Sequence, residues 1–269
     1  METLPTVSDN ERNETRAVLP AEATHWYHKD GRPCYEVPKA KGDGMRPTTL
    51  RDARKLNLVP SVSGVIDVAA KPGLEVWKDT QLLEAALTLP KLPEESLDDY
   101  AKRVREDAKA QSRKAMERGT ELHAAIEIWI KGEAYDNRWA DHITKLDDTV
   151  TQYGIDLLFG RTEHSFASPL GYGGKLDWHN DEILIDFKTK DRIVEGKQLA
   201  WSEHCWQLAA YEVGLPEVRL LTRRLINVFI GVEDCQVRIH EWTPDDAEKS
   251  WLIFEHLLAV WKLTKNYNP

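Results

Sequence analysis

From Gly154 onward the apolar residues begin to recur at every second position, and this change of period most constrains what the chain can become. Residues 162–167, 172–178 and 183–188 read as three strands. The polar turn His179-Asn180-Asp181-Glu182 joins the last two and predicts an antiparallel hairpin. Upstream the period is helical, with Leu122, Ile126, Trp129 and Ile130 on one face of an amphipathic helix. Downstream, 198–213 reads as a helix, 225–232 and 236–242 as strands, and 245–263 as a closing helix. Helices on either side of a strand cluster predict an α/β fold.

The remaining chain divides by composition. Residues 1–24 are polar, contain Pro5 and Pro20, and lack periodicity, so a mobile arm is expected. Residues 25–60 are punctuated by Gly31, Pro33, Pro38, Gly42, Gly44 and Pro47, as in a short hairpin followed by irregular chain. Helices are expected to open after Pro60 and near Lys71. Ser96 with Asp99 reads as a capping box before a long helix. That helix holds the most basic stretch of the chain: Lys102, Arg103, Arg105, Lys109, Arg113, Lys114 and Arg118. Gly119 interrupts its pattern. The division expected is therefore an arm over 1–24, a hairpin and helical region over 25–117, and a core over 118–269.

Composition excludes several classes. No apolar run approaches the roughly 20 residues of a membrane span, and the charged N-terminus lacks the apolar segment of a secretory signal. A cytoplasmic protein without membrane attachment is expected. Cys34, Cys205 and Cys235 form no C-x-x-C pair, which argues against a disulfide framework or a zinc ribbon. The net charge of −9 weighs against a nucleic-acid partner unless the basic residues are concentrated locally.

The chemistry centres on Ile183-Leu-Ile-Asp-Phe-Lys188. Alternation points Ile183, Ile185 and Phe187 one way, and Leu184, Asp186 and Lys188 the other. Asp177, near the end of the preceding strand, can stand beside Asp186. Paired carboxylates repel unless protonated or bridged by a cation, and oxygen ligands suit Mg²⁺ or Mn²⁺. Taken alone, Asp186-Phe-Lys188 reads first as a structural ion pair on a hairpin, since the tripeptide is common by chance.

Four pieces in order change that balance. Gly119-Thr-Glu-Leu-His123, Gly174-Lys-Leu-Asp177, Asp186-Phe-Lys188-Thr and Gln207-Leu-Ala-Ala-Tyr211 resemble the G-T-x-x-H, G-x-x-D, D/E-x-K-T and Q-x-x-x-Y motifs of the PD-(D/E)XK nuclease superfamily. The branch is that of RecB-type nuclease domains, lambda exonuclease and the mitochondrial genome-maintenance exonuclease. The resemblance implies a restriction-endonuclease-like core, with an N-terminal helical arch over a DNA channel. It also implies a Mg²⁺-dependent exonuclease acting on DNA ends in recombination, repair or replication, with Mn²⁺ as a substitute and a recombination protein as partner. The cysteine ligands of the iron–sulfur members are missing, which removes that cofactor. A structure-specific or nonspecific endonuclease, or an inactive scaffold that binds DNA or protein, are the alternatives.

By the same resemblance, His123, Asp177, Asp186 and the Phe187 carbonyl would bind the metal. Lys188 would activate the attacking water, Gln207 and Tyr211 would brace the site or touch DNA, and Glu163 would assist with metal or water. Arg105, Lys109, Arg113, Arg118 and Lys190 are the DNA-contacting candidates, although a run of helix charges is equally a solvated face. Glu127, one turn beyond His123, is either a partner to it or a surface residue. Trp178, Trp201 and Trp206 flank the motifs and are candidates to stack a base, with core packing as the plainer reading.

Overall fold

The computed structural model describes residues 25–215 and 221–269, and the arm expected over 1–24 lies outside the described residues. At its centre is a five-stranded sheet in sequential order: β5 (Arg161–Ser168), β6 (Tyr172–His179), β7 (Ile183–Lys190), β8 (Arg224–Gly231) and β9 (Val237–Glu241). Neighbours are antiparallel except β7 and β8, which run parallel. A parallel pair needs a crossover, and α6 (Ser202–Gly214) lies within it. The fold is mixed α/β, as the change of period predicts.

Alternation sorts the strand residues into two cores, one on each face of the sheet. Ile183, Ile185 and Phe187 pack with Ile226 and Val228 against α4 (Leu97–Ile130) and α5 (Ala140–Gln152). On the opposite face, Leu184 and Leu225 meet α6, the closing helix α7 (Pro244–Lys265) and the short helix α2 (Val62–Ile66). Each such side chain is worth about 1.5–3 kcal/mol of burial. Both faces are therefore covered, and the Asp186 face is as enclosed as its neighbour, with Asp186 only 3% exposed.

The β6–β7 turn forms because the Asn180 side chain accepts the backbone N–H groups of Glu182 and Ile183 at 2.9 and 2.8 Å. This is an Asx turn that fixes the hairpin register. Trp178, fully buried, donates its indole N–H to the Leu157 carbonyl at 2.8 Å.

Several expectations need correction. Gly119 does not divide two helices. A single 34-residue helix, α4, runs through it, capped by Ser96 as expected. The glycine serves a close approach: a Cβ there would meet Thr189 Oγ1 of β7 at 2.6 Å. The expected boundary at 117/118 consequently falls inside α4. Residues 25–60 are more ordered than irregular chain, since they hold α1 (Leu50–Leu56) and four short strands: β1 (Trp26–Tyr27), β2 (Glu36–Pro38), β3 (Met45–Pro47) and β4 (Val59–Pro60). These segments are not separate from the core. Trp26, Leu58 and Val62 belong to it, Ser61 bridges to Gly173, and the Tyr267 hydroxyl donates to the Ala53 and Leu58 carbonyls. Helix α5 was not expected at all.

Helix α3 (Pro72–Thr88) packs along the first half of α4. The loop between them is pinned by Arg103, which donates to Glu95 and to the Pro90 carbonyl. One member of the basic run is thus structural. Arg105, Lys109 and Arg113 are exposed on the same helix. Among the described residues no helix is long and apolar enough to cross a membrane.

Candidate active site

The site forms where the central sheet splits. Strands β6 and β7 pair at Trp178↔Ile185 and His179↔Leu184, and the ladder ends there. Beyond those pairs the Asp177 carboxylate substitutes for a ladder acceptor, with its Oδ2 taking the Phe187 N–H at 2.8 Å. The alternation on β6 also reverses here: Leu176 packs into one core and Trp178, two residues on, into the other. Opposite this point on β5, between the pairs Thr162↔Trp178 and His164↔Leu176, lies Glu163 with φ of 54°. A non-glycine residue in that region costs about 1–3 kcal/mol and persists only where its surroundings hold it. Glu163 is held by an ion pair with Lys175.

Strand β7 supplies Asp186 and Lys188. The Lys188 ammonium lies 2.7 Å from Asp186 Oδ2 and donates to Gln207 Oε1 at 2.9 Å. Gln207 in turn donates through Nε2 to the Tyr211 hydroxyl at 2.8 Å. Gln207 and Tyr211 are one turn apart on α6, so a single helix face sets the lysine in place. Tyr211 can lie this close to β6 because Gly174 has no side chain: a Cβ there would sit 2.6 Å from the tyrosine ring.

Helix α4 brings His123 to the other side of the split. Its Nδ1 is 3.8 Å from Asp177 Oδ2, and its ring meets Phe187 edge-on at 6.3 Å. His123, Glu163, Asp177 and Phe187 line one small cleft. The four pieces singled out in the sequence are thus gathered in one region, although the chain separates His123 from Tyr211 by most of the sheet.

Burial governs the electrostatics. It lowers the His123 pKa to about 4 against an opposing pull from Asp186, so the imidazole is neutral at neutral pH and offers a lone pair. Burial pushes Asp177 and Asp186 up, and the Lys188 charge partly offsets this for both. Two carboxylates that resist ionisation beside a neutral imidazole make an oxygen-rich donor set, chemically suited to a hard divalent cation. Among the described residues no three His, Cys, Asp or Glu side chains converge as a ready-made metal cage. Lys188 supplies the compensating charge.

The remaining candidates fall differently. Arg118 pairs with Asp191 at 3.1 Å and with Glu233 at 3.7 Å, so its guanidinium is already engaged. Lys190 is half-buried, with its pKa lowered first by burial and then by Lys188 and Lys197. Glu127 pairs with Lys131, one turn further along the helix. Trp178 is core, Trp206 packs against the core, and Trp201 stays 37% exposed beside Gly73.

Two participants escaped the sequence reading. Lys175, inside the glycine-rich piece, balances Glu163 and bears on the titration of His123 and Asp177. Asn227, fully buried in the apolar strand Leu225-Ile-Asn-Val-Phe, hydrogen-bonds Asp186. A lone amide in such a strand is itself a signal, because a buried polar group needs a partner. A scan against models of protein families and a search of curated proteins both find no match to this chain.

Proposed function

We propose that this protein is a divalent-metal-dependent deoxyribonuclease that hydrolyses phosphodiester bonds at DNA ends. The observation that carries this reading is the linked array Asp186–Lys188–Gln207–Tyr211 facing Asp177 and His123 across a split in the sheet. Structural ion pairs do not require a second, half-buried carboxylate and a neutral imidazole alongside. The four-motif resemblance supplies the reaction class.

Asp177, Asp186 and His123 are the residues that would hold Mg²⁺ or Mn²⁺, with the Phe187 carbonyl as a further oxygen. Such an ion, when bound, lowers the pKa of a coordinated water and polarises a phosphoryl oxygen. Lys188 holds its ammonium beside Asp186 and Gln207, where it would neutralise charge developing on the phosphate. Gln207 and Tyr211 restrict the lysine to one orientation, so little reorganisation remains at the moment of reaction. The exposed Arg105, Lys109 and Arg113 on α4 are the groups to follow a DNA backbone.

The test is cleavage of end-labelled linear single-stranded, linear duplex and closed-circular DNA with Mg²⁺, Mn²⁺ or EDTA. It is run on the wild-type chain, Asp186→Ala and Lys188→Ala. Loss of linear DNA alone, abolished by EDTA and by both substitutions, is the expected result. Cutting of circles makes the enzyme an endonuclease. The net charge of −9, which weighs against a nucleic-acid partner, is the observation in favour of an inactive scaffold. A chain that cuts none of these DNAs, whether or not it binds them, would establish that reading instead.

A further inference from the structure

We infer that Asn227 is a positioning residue that restricts Asp186 to one-oxygen coordination and thereby sets the site's preference for Mg²⁺ over larger cations. The inference rests on the metal-dependent reading above and extends it to a residue outside all four motifs.

The geometry is specific. Strands β7 and β8 pair Asp186 directly with Asn227, and the Asn227 amide donates to Asp186 Oδ2 at 2.9 Å. Lys188 lies against that same oxygen, at 2.7 Å. Both donors therefore hold Oδ2. A carboxylate gripped by one oxygen presents the other. Rotation towards a symmetric, two-oxygen approach would break one or both of these bonds inside a dry site.

The direction of the amide is also fixed. The Trp242 indole N–H donates to Asn227 Oδ1 at 2.8 Å. An indole nitrogen is only a donor, so the group facing it must be the carbonyl, and the group facing Asp186 must be the NH₂. Trp242 thus determines which end of Asn227 meets the carboxylate. Asn227 is fully buried, which leaves no water to take over either bond.

The chemical consequence concerns cation size. Mg²⁺ demands near-octahedral geometry and is served by single carboxylate oxygens, whereas Ca²⁺ accepts two-oxygen carboxylates in a flexible shell. A rigid, one-oxygen Asp186 favours the smaller ion.

The experiment compares wild type, Asn227→Leu and the double variant Asn227→Leu/Trp242→Phe. Leucine matches asparagine in shape. The double variant also removes the indole donor that the single one would leave buried without an acceptor. Mg²⁺ and Ca²⁺ affinities are measured by titration calorimetry on the DNA-free protein, alongside melting temperature without metal and cleavage with Mg²⁺. The expected result is at least a tenfold loss of Mg²⁺ affinity in both variants, a smaller loss for Ca²⁺, and a matching fall in cleavage. The double variant should melt closer to wild type than the single one. A folded double variant with wild-type Mg²⁺ affinity and an unchanged Mg²⁺/Ca²⁺ ratio would overturn the role of Asn227 while leaving the nuclease reading intact. Equal losses for both ions would overturn it too, since a merely structural defect does that. A wild-type chain that binds neither ion would overturn both readings.

Discussion

Gly119→Ala offers the sharpest test of how the site is assembled. Alanine in a helix interior is ordinarily worth about 1 kcal/mol over glycine. Here the added Cβ would lie 2.6 Å from Thr189 Oγ1, far inside contact distance, with Thr189 Cβ next at 3.6 Å. Threonine is stiff about χ1, so relief requires an off-rotamer side chain or a shift of α4 away from β7. Overpacking of this kind costs about 1–3 kcal/mol. The net expectation is a loss of up to about 2 kcal/mol instead of a gain, with each kcal/mol lowering the melting temperature by about 2–4 °C. His123 is one turn along the same helix, so the displacement reaches the site. Thr189→Ala removes the obstructing oxygen, and in that background Gly119→Ala should stabilise by about 1 kcal/mol. Urea unfolding of all four proteins gives the coupling energy directly, expected at about 1–3 kcal/mol. DNA cleavage should fall in Gly119→Ala and recover in the double variant. A stability gain from Gly119→Ala with Thr189 intact would refute the close-approach account of this glycine.

Further predictions concern charge and packing. Replacing Arg105, Lys109 and Arg113 with alanine should flatten the salt dependence of DNA binding by about 0.9 in log–log slope for each phosphate left without a cation; filter-binding titrations over a range of salt read this. The folded pKa of His123 is depressed from 6.5 to about 4, so the unfolded chain binds more protons in that window and stability falls as pH drops through it. In metal-free protein, His123→Gln should remove up to about 3 kcal/mol of that acid sensitivity, visible in urea midpoints taken between pH 7 and pH 4. Arg223→Ala should cost about 3–5 kcal/mol, because Glu212 and Arg223 form an ion pair at 3.0 Å with side chains 1% and 8% exposed; a cost under about 1 kcal/mol in chemical denaturation, the level of a surface pair, would contradict this. Gly160→Ala should destabilise by about 1–3 kcal/mol, since its Cβ would overlap the buried Trp178 ring and that ring is tethered to Leu157; an unchanged melting curve would count against it.

How far the sequence discloses this molecule depends on the range of the interaction concerned. The hairpin carrying Asp177 and Asp186 is local: alternation and the Asn180 turn specify it, and the strands appear where expected. The continuity of α4 is not local, because Gly119 reads as a break until Thr189, seventy residues away, shows why no side chain fits. Helix α5 does carry its signal in Ile143, Leu146 and Val150, but Asp147, Asp148, Thr149 and Thr151 are weak helix formers that obscure it. The reversal of alternation at Asp177 depends on the backbone of Glu163, one strand over, and strict period-two reasoning cannot find it. Asn227 was visible as a polar residue in an apolar strand. Its role required the parallel pairing with β7, which a crossover of more than thirty residues conceals.

The undivided helix α4 also constrains how this protein can change over generations. Loops absorb insertions, whereas a rod transmits them as rotation. One residue inserted between Arg113 and Gly119 would turn the arginine face by about 100° relative to His123 while leaving both ends chemically intact. An insertion of seven residues would nearly restore the phase, with a drift of only about 20°. The helix thus acts as a reading frame for the surface it carries: a one-residue indel turns that surface away, whereas a two-turn indel keeps its facing and only moves it about 10 Å along the axis.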